Sequence, residues 1–577
     1  MRQVKRRAGR AGLAMPTRHQ VKNYLSAFTP ASVVALREGY SSAKFAADAF
    51  AGLTVAILAL PLSLAIAIGS GVQPSVGLVT AIVGGFFVSL LGGSRLQVGG
   101  PAAAFIVIVA EIVNTKGLPG LVTATFIAGA LLVAAALFRF GDYIKYVPGP
   151  VILGFTTGVG VLILVGQLRD FVGMPGKVSS EVLHKLQDIW AARPTWSVAA
   201  ILAGIVTILL IQGFRRFAPR LPGLLLAIAI VSAGAVALGI DLPTIGGRYG
   251  EMPRGLPAPA LPATDLATIL DLLPTALTLA LLIGVESLLS AVTADALAGT
   301  RHNPNAEILG QGVANIASAL FAAMPVTGVI ARTGTNISAG GQTPVSGMLH
   351  GVFLLAMVAA AAPLVKYLAL PALAAVLMTV GWRLVEPKTL WHFMTRAPRD
   401  DLIVLLATLS LTVFAELNTA IATGVVLASI FFMHRMAEVA GIEKPEVVTA
   451  PDHAPDDQHE ALRVMTFRGP LFFGQSTRVA DALRVGSQDA RVLVLDLAEV
   501  PLIDATVTEV LEELVAAASG RGCRVVVAGL SGQPRVTLHR SGLLRQDNVS
   551  LAPDRTTAIA KARAILAKTT VVRTPGR

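Results

Sequence analysis

The stretch "AAMPVTGVIARTG", residues 322–334, places a proline, two glycines and an arginine inside a long apolar region of the chain. A second stretch, "QVGGPAAAF" at residues 97–105, has a related layout, with a proline directly after two glycines. Proline suits the first turn of a helix, because the N–H that it lacks would have no partner there. Each stretch therefore predicts a helix that begins in the middle of an apolar region.

The surroundings of these two stretches indicate a membrane protein. Of the 577 residues, 54% are hydrophobic and 14% are charged, whereas soluble proteins carry about 25% charged residues. Apolar runs long enough to span a bilayer as helices recur from residue 50 to about residue 433. We count about fourteen of them, which begin near residues 49, 76, 101, 119, 150, 195, 221, 272, 306, 329, 345, 370, 401 and 418.

The charge distribution predicts the topology of these segments. The net charge of +12 comes from basic residues in the N-terminal arm "MRQVKRRAGR" and in short loops between spans. Basic flanks of this kind mark the cytoplasmic side of a membrane protein, so nucleic acid is not the expected partner. An even number of spans returns the chain to its starting side, and both termini are therefore expected in the cytoplasm. No N-terminal signal peptide is expected, since residues 1–48 contain no apolar run.

Four regions follow from the change in composition along the chain. We predict a basic cytoplasmic arm over residues 1–45, a transmembrane transport domain over 46–436, a linker over 437–460 and a soluble domain over 461–570. In the soluble domain, "RVMTF", "RVLVLDL" and "CRVVVAGL" are typical of strands, and "ATVTEVLEELVAAASG" is typical of a helix ending at Gly520. Such alternation predicts a small α/β domain, in which Cys523, the one cysteine, is a buried hydrophobe.

The broken segments predict an anion site. A helix that starts at mid-membrane depth exposes N–H groups that need a partner, and its dipole makes that end partially positive. Two such ends facing each other would bind an anion, with the small residues Ala102, Ala103 and Ala104 letting it approach the backbone. Arg332 would add positive potential, unless its long side chain extends to the membrane surface. The alternative is a pair of ordinary proline kinks.

The stretch "LLIGVESLLSAV", residues 281–292, predicts a second charged site. A carboxylate beside an anion site repels the substrate unless Glu286 takes up a proton or faces Na⁺, which is the logic of a symporter. Ser290, one turn on, and Ser63, in the first span, would offer hydroxyl ligands to Na⁺. The alternative for Glu286 is a salt bridge with Arg332. Asp295 is expected at the end of the helix.

Several long motifs resemble the sulfate permease (SulP) family, bacterial relatives of the animal anion exchangers and prestin. "PLSLAIAIGSGVQPSVGLVTAIVGGFFVSLLGGSRLQVGGPAAAF" is similar to that family's first three spans. "ESLLSAVTADALAGTRHNPNAEILGQGVANIASALFAAMPVTGVIARTGTNISAGGQTPVSG" is similar to its eighth to eleventh spans. The tail resembles its STAS domain. The resemblance implies fourteen segments in two inverted repeats of seven, with a core domain (segments 1–4 and 8–11) that moves against a gate domain (5–7 and 12–14).

The resemblance also implies roles for residues. The substrate would lie between the short helices of segments 3 and 10, and Glu286 falls at the acidic position where symporting members couple to a cation. The first-span motif Pro-Gln-Gly of the family is Pro61-Leu62-Ser63 here, so Ser63 would replace the glutamine. The expected substrate-binding residues are Ser63, Pro101, Ala102, Ala103, Ala104, Gly328, Ile330, Ala331 and Arg332, and the expected coupling residues are Glu286, Ser290 and Ser63.

The STAS loop departs from its phosphorylatable version, Asp-Ser-Ser-Gly. The loop here is Asp504-Ala505-Thr506-Val507, in which Asp504 fits a helix N-cap. Phosphorylation of Thr506 is not expected, and the domain is expected to support dimerisation or regulation.

These observations predict a secondary active anion transporter in the inner membrane of a bacterium, working by elevator-like alternating access. Its expected partners are the lipid bilayer, a second copy of the chain, and bicarbonate, a dicarboxylate or sulfate. The coupling ion is H⁺ or Na⁺, with glutamate favouring H⁺, and no other cofactor is expected. The alternatives are a nucleobase transporter, an uncoupled channel or voltage-driven motor, and a membrane anion sensor. An enzyme is not expected, since no metal-spaced His/Cys cluster, nucleophile elbow or phosphate loop is present.

Overall fold

The computed structural model shows fourteen apolar segments among the residues that it describes. Those residues are 27–144, 148–176, 178–179, 181–218, 221–262, 265–415, 417–439, 441–442, 446–447, 462–487 and 490–571. Residues 1–26 of the predicted arm and most of the predicted linker 437–460 lie outside them. Each predicted segment start falls within seven residues of the observed one. The predicted fold class, a helical membrane protein with a small α/β domain, is confirmed.

Ten segments are single α-helices. They are segment 1 (Ser42–Gly69), 5 (Gly149–Phe171), 6 (Val198–Phe217), 7 (Gly223–Ala237), 8 (Leu266–Ala298), 9 (Pro304–Leu320), 11 (Val345–Val365), 12 (Leu370–Val385), 13 (Arg399–Phe414) and 14 (Leu417–Val439). Short helices at Ala31–Arg37, Gly141–Ile144, Val182–Ala191, Ile245–Tyr249 and Pro387–Arg396 lie between or before them. In the described part of the chain, nine helices are long and apolar enough to cross a membrane.

The other four segments contain breaks. Segment 2 (Pro74–Leu91) includes a π-helical turn at Thr80–Gly84. The helix Ile106–Leu137 bends at Gly117, whose φ of 68° is favourable for glycine, and this bend divides segment 3 from segment 4. Segment 3 begins with the two-residue strand β1 (Gly99–Gly100) and a 3₁₀ turn (Ala103–Phe105). Segment 10 is the strand β2 (Thr327–Gly328) followed by the helix Ile330–Ser338.

Equivalent segments of the two halves pack in equivalent ways. Segment 4 contacts segment 9, and segment 11 contacts segment 2. Segments 4 and 11 are counterparts in the two repeats, as are segments 2 and 9, so exchanging the repeats converts one contact into the other. Glycines make both approaches close. A Cβ on Gly129 would lie 2.7 Å from the Gly312 carbonyl oxygen, and one on Gly351 would lie 2.9 Å from the Ile82 carbonyl oxygen. The packing therefore has the pattern of two repeats of seven segments.

Two self-complementary contacts mark the axis between the repeats. Strands β1 and β2 pair antiparallel, with Gly99 opposite Gly328 and Gly100 opposite Thr327. Segments 5 and 12 meet at Gly160 and Gly381, where a Cβ on either glycine would lie 2.7 Å or 3.1 Å from the other's carbonyl oxygen. Around the β1–β2 pair, most contacts are among segments 1–4 and 8–11. Around the Gly160–Gly381 contact, most are among segments 5, 6, 12 and 13.

The chain divides into two compact units between Val425 and Val426. The second unit contains strands β3 (Gly441–Ile442), β4 (Glu446–Val447), β5 (Leu462–Arg468), β6 (Val492–Glu499), β7 (Arg524–Ala528) and β8 (Val549–Ala552). Strands β5 to β8 are parallel neighbours in that order, and β3 and β4 pair antiparallel with β5. The apolar residues of Ser476–Ser487, Ala505–Gly520 and Gly532–Ser541 join one core, and those of Arg555–Val571 join another.

Local predictions for this unit are confirmed. The helix Ala505–Gly520 has the predicted bounds, and Asp504 caps it by accepting a hydrogen bond from the Val507 N–H at 2.9 Å. Cys523 is buried in the first of the two cores, and burial raises the pKa of its thiol. Because the thiolate is the reactive form of cysteine, this environment favours a packing role.

The contact between segments 5 and 12 generates a prediction. Gly160→Val should destabilise the protein by about 1–3 kcal/mol, because its side chain has to displace the backbone of segment 12. Gly166→Val is the matched control, since Gly166 lies on the same helix with open space where a Cβ would be. The thermal unfolding midpoint of the purified protein in detergent should fall for the first variant by several degrees more than for the second. Equal midpoints would contradict the close contact.

Candidate functional site

Strands β1 and β2 bring the two broken segments together. The Val329 N–H donates to the Val98 carbonyl oxygen at 3.0 Å, next to the antiparallel pair. The Val98 N–H in turn donates to the Thr333 hydroxyl at 3.1 Å. This mutual pairing satisfies backbone groups that could not be left free in an apolar region. The helical parts of segments 3 and 10 both begin directly after it, as the sequence predicts.

Two glycines of this pair leave room for long polar side chains. A Cβ on Gly100 would overlap the guanidinium of Arg332, and a Cβ on Gly328 would overlap the side-chain amide of Gln97. Both side chains thus lie against the bare backbone of the opposite strand. The glycines are required here for space, since neither has a positive φ.

Arg332 is completely buried, so its side chain does not extend to a membrane surface. One terminal nitrogen, Nη2, donates to the Ser63 hydroxyl at 2.8 Å, and Nη1 approaches the Gly99 carbonyl oxygen at 3.4 Å. Its Nε–H has no hydrogen-bond partner, and no acidic side chain pairs with the guanidinium among the described residues. A buried positive charge with neutral partners is a candidate binding group for an anion.

The other predicted substrate-binding residues differ in their exposure. Ile330 and Ala331 are exposed, so the first turn of the segment 10 helix faces open space. Ala103 is half-buried, whereas Pro101, Ala102 and Ala104 are buried and Gly328 is covered by Gln97. Ser63 is buried, and its hydroxyl donates to the Ala59 carbonyl oxygen at 2.7 Å while it accepts from Arg332. A hydroxyl that accepts from a guanidinium is better suited to the anion site than to a cation site.

Glu286 lies in different surroundings from Arg332. It lines a small cavity of about 30 Å³ together with side chains of segments 5, 8 and 14, of which Phe155, Leu282 and Ile421 are typical. Thr156 is the one other residue of the cavity wall with a side-chain oxygen, and its hydroxyl donates to the Ile152 carbonyl oxygen at 2.9 Å. Within the described chain Glu286 forms no ion pair, so the salt bridge with Arg332 that the sequence left open is not observed.

Ser290 lies one turn after Glu286 but takes part in the framework of the candidate anion site around Arg332. Its hydroxyl lies 3.3 Å from that of Thr333, in segment 10. Asp295 lies near the helix end, as predicted, where it accepts hydrogen bonds from Thr300 and from the His302 N–H. The structure thus brings Ser63 and Arg332 together, connects Ser290 to the same framework, and separates Glu286 from them.

A buried network around Glu307 was missed by the sequence analysis. Glu307 accepts from the N–H groups of Gly93 (2.8 Å) and Ser94 (3.1 Å), from Ser287 (2.7 Å) and from Gln311 (2.9 Å). The Gln97 amide donates to the hydroxyl and the carbonyl oxygen of Ser287, at 3.1 Å each. Residue 287 follows Glu286, so this network ties segment 8 to the strand that carries Gly99. The signal in the sequence was a glutamate entering an apolar segment, "NPNAEILGQG".

Comparison with known proteins agrees with this architecture. The model of the sulfate permease family matches residues 45–408, more than half of the chain. The chain belongs to the sulfate permease family. The STAS-domain model matches residues 453–555, which confirms the resemblance noted from the motifs of the chain.

Relatives of this chain carry transporter names. YvdB of Bacillus subtilis (strain 168), provisionally named a sulfate transporter, is 38% identical over 512 residues, which are 88% of this chain and 96% of that protein. The bicarbonate transporter BicA of Synechocystis sp. (strain ATCC 27184 / PCC 6803 / Kazusa) is 29% identical over 520 residues, 86% of this chain and 90% of that protein.

Solved structures show the same fold. SLC26A9 superposes with a TM-score of 0.84 at 16% identity, covering 96% of this chain and 95% of that chain. The transmembrane domain of a cyanobacterial BicA superposes with a TM-score of 0.59 at 29% identity, covering 68% and 98% of the two chains. The chain is therefore a multi-pass membrane protein of a transporter family.

The surroundings of Arg332 generate a prediction. Arg332→Ala should raise the anion concentration for half-maximal uptake about 10–150-fold, because a hydrogen bond to a charged group contributes about 1.5–3 kcal/mol. The half-saturating concentration of Arg332→Lys should lie between those of the unchanged protein and of Arg332→Ala, since lysine keeps the charge and loses the planar donor geometry. Concentration-dependent uptake into proteoliposomes measures this. Arg248→Ala is the control, because Arg248 pairs with Asp170 outside the site. Unchanged half-saturation in Arg332→Ala would exclude Arg332 from the anion site.

Proposed function

We propose that this protein is a secondary active transporter that moves an anion together with a proton across the inner membrane of a bacterium. The observation that carries the proposal is the pair of uncompensated charges in the transmembrane unit. Arg332 is a buried cation with neutral partners, and Glu286 is a carboxylate in an apolar cavity with no counter-ion among the described residues. An anion would neutralise Arg332, and a proton would neutralise Glu286. The loaded transporter therefore carries less uncompensated charge within the membrane than the empty one.

The cavity beside Glu286 supports H⁺ over Na⁺ as the coupling ion. Na⁺ needs several oxygen ligands, and the cavity wall offers one hydroxyl, that of Thr156, besides the carboxylate. Ser290 is engaged with Thr333, and Ser63 is engaged with a cation already. A proton needs no further ligand.

A single guanidinium supports a singly charged substrate. The planar donor fork of arginine matches a carboxylate-like group, and one positive charge balances one negative charge. Bicarbonate therefore fits this site better than sulfate or a dicarboxylate such as fumarate, which carry two charges. The name of the BicA relative agrees with bicarbonate, whereas that of YvdB agrees with sulfate.

The arrangement of the segments supports an elevator-like motion. The anion framework consists of segments 1, 3, 8 and 10, whereas segments 5 and 14 supply the opposite wall of the Glu286 cavity. A movement of the first group past the second would carry Arg332 and Glu286 together. Both termini are expected in the cytoplasm, with the basic arm on that side.

Uptake of radiolabelled bicarbonate, fumarate and sulfate into proteoliposomes, one at a time, tests the proposal. An inward proton gradient should raise the initial rate of bicarbonate uptake above that of protein-free liposomes, which report passive entry of CO₂. An inward Na⁺ gradient alone should not. Accumulation of sulfate or fumarate would show that this anion is the substrate in place of bicarbonate. Uptake driven by Na⁺ would show that Na⁺ is the coupling ion in place of H⁺. Binding without flux would indicate a sensor, and flux that no gradient accelerates would indicate a channel or motor.

Glu286→Gln separates coupling from substrate recognition. This variant should lose the acceleration of uptake by the proton gradient and keep exchange of labelled for unlabelled anion, because it removes the proton acceptor and leaves Arg332 in place. Glu251→Gln, in an exposed loop, is the matched control. Full acceleration of uptake by the gradient in Glu286→Gln would remove Glu286 from the coupling mechanism.

The STAS domain is proposed to support assembly of a homodimer. A chain that ends at residue 445 should lose the dimer by native mass spectrometry in detergent while keeping a folded transmembrane unit by circular dichroism. A truncated chain that remains dimeric would show that the dimer forms elsewhere.

A further inference from the structure

The helix Pro387–Arg396, which connects segments 12 and 13, has apolar side chains that the rest of the described chain leaves exposed. None of its ten residues is buried, and Trp391 and Met394 are 70% and 44% exposed. Isolated helices shorter than about 12–15 residues are marginally stable in water, and helices in proteins depend on the packing of an apolar face. The exposed apolar side of this helix therefore requires a partner other than the described part of the chain.

The spacing of residues gives this helix three different sides. Leu390 and Phe393, three residues apart, are half-buried, so the rest of the chain covers this side in part. Trp391 and Met394, also three residues apart, form the exposed apolar side. Residues at four-residue spacing form the third side, which is exposed and basic: Lys388, His392 and Arg396. An exposed apolar side next to a basic one is the pattern of a helix that lies in a membrane surface.

The connections of the helix hold it at the ends of two apolar segments. Segment 12 ends at Val385 and segment 13 begins at Arg399, so one residue precedes the helix and two follow it. Glu386 has a φ of 44°, a left-handed conformation that ends segment 12, and Pro387 begins the next helix. Each connecting residue extends the chain by about 3.6 Å at most. The helix therefore cannot move away from the membrane surface at which both segments end.

The other repeat has a helix in the equivalent place, Val182–Ala191, between segments 5 and 6. It also leaves a tryptophan and two leucines exposed: Trp190 at 64%, Leu183 at 59% and Leu186 at 39%. Its exposed polar residues include one acid and no lysine or arginine, and they are His184, Gln187 and Asp188. Segments 5 and 12 differ by seven, an odd number, so the two helices are expected at opposite membrane surfaces. The apolar pattern is thus common to both surfaces, and the basic side belongs to one of them.

We propose that the helix Pro387–Arg396 lies in the membrane surface and binds anionic lipids. Trp391 and Met394 enter the boundary between headgroups and acyl chains, where tryptophan is enriched in membrane proteins. Lys388 and Arg396 bind the lipid phosphates. The basic side and the even number of segment 12 both predict that this helix lies on the cytoplasmic side, whose lipids carry negative charge.

The bound helix fixes the depth of the segments that it connects. Segment 12 packs closely against segment 5 at the Gly160–Gly381 contact, so both segments are held at the same depth. This role involves neither Arg332 nor Glu286. It is therefore tested separately from the proposed transport function.

Fluorescence of Trp391 in the full-length chain tests whether the helix lies in the membrane surface. The chain has four tryptophans, and Trp190→Phe, Trp196→Phe and Trp382→Phe together leave only Trp391. In proteoliposomes, lipids brominated close to the headgroup should quench this fluorescence more than lipids brominated at the end of the acyl chain. The difference in quenching between the unchanged chain and Trp391→Phe gives the same information from a single substitution. Absence of quenching, or stronger quenching from the chain end, would overturn the proposal.

The choice of brominated lipid tests the binding of anionic lipids. At equal mole fraction, brominated phosphatidylglycerol should quench Trp391 more than brominated phosphatidylcholine. Lys388→Gln should lower this preference about twofold to fivefold, since one basic residue near an anionic surface contributes up to about fivefold in binding. Because both leaflets contain the same lipids, either orientation of the chain in the liposome gives the same result.

The helix of the other repeat supplies the matched control. A chain that keeps only Trp190 should show the same quenching near the headgroup without the preference for phosphatidylglycerol. Lys388 and Arg396 are exposed, so their variants should keep the thermal unfolding midpoint of the unchanged chain. Equal quenching of Trp391 by the two lipids would reject the binding of anionic lipids. A preference that survives Lys388→Gln combined with Arg396→Gln would reject it as well.

Discussion

The antiparallel pairing of β1 and β2 is the constraint on which the transmembrane unit depends. Irregular backbone inside an apolar region has to satisfy its own hydrogen bonds, and here each broken segment supplies the partner of the other. The pair is only two residues long, so the surrounding side chains have to fix it. Thr333, Gln97 and the Glu307 network bond to it or to the turns that lead into it. The helix starts that follow are therefore held from both halves of the chain.

The same framework explains why three intramembrane ionisable residues differ so strongly. Glu307 receives four hydrogen bonds and is a structural anion, because the donors that surround it satisfy its charge. Arg332 has neutral partners, and Glu286 has none among the described residues. Charges that the fold leaves uncompensated are the ones available to a ligand. Segment 8 carries Glu286, and its next residue, Ser287, donates a hydrogen bond to Glu307 of segment 9. The two carboxylates therefore both depend on the position of segment 8.

Much of this architecture was predictable from local patterns. Segment starts follow from apolar length, the two helix breaks follow from proline and glycine spacing, and the helix Ala505–Gly520 follows from its N-cap and apolar period. Contacts across long sequence distances were not predictable. The sequence placed Ser290 with Glu286 by helical spacing, whereas its hydroxyl is bonded to Thr333, 43 residues on. Likewise, no local pattern separates the satisfied Glu307 from Glu286, which has no partner among the described residues.

The overlap between Gly100 and Arg332 has an evolutionary consequence. The guanidinium occupies the volume that a Cβ at position 100 would need, so an arginine at position 332 and any side chain at position 100 exclude each other. A lineage that gains a side chain at position 100 has to give up the arginine in its present rotamer, and one that loses the arginine is released from the glycine. We therefore expect the two positions to change as a pair among relatives, so that loss of the charge at position 332 permits a side chain on the opposite strand.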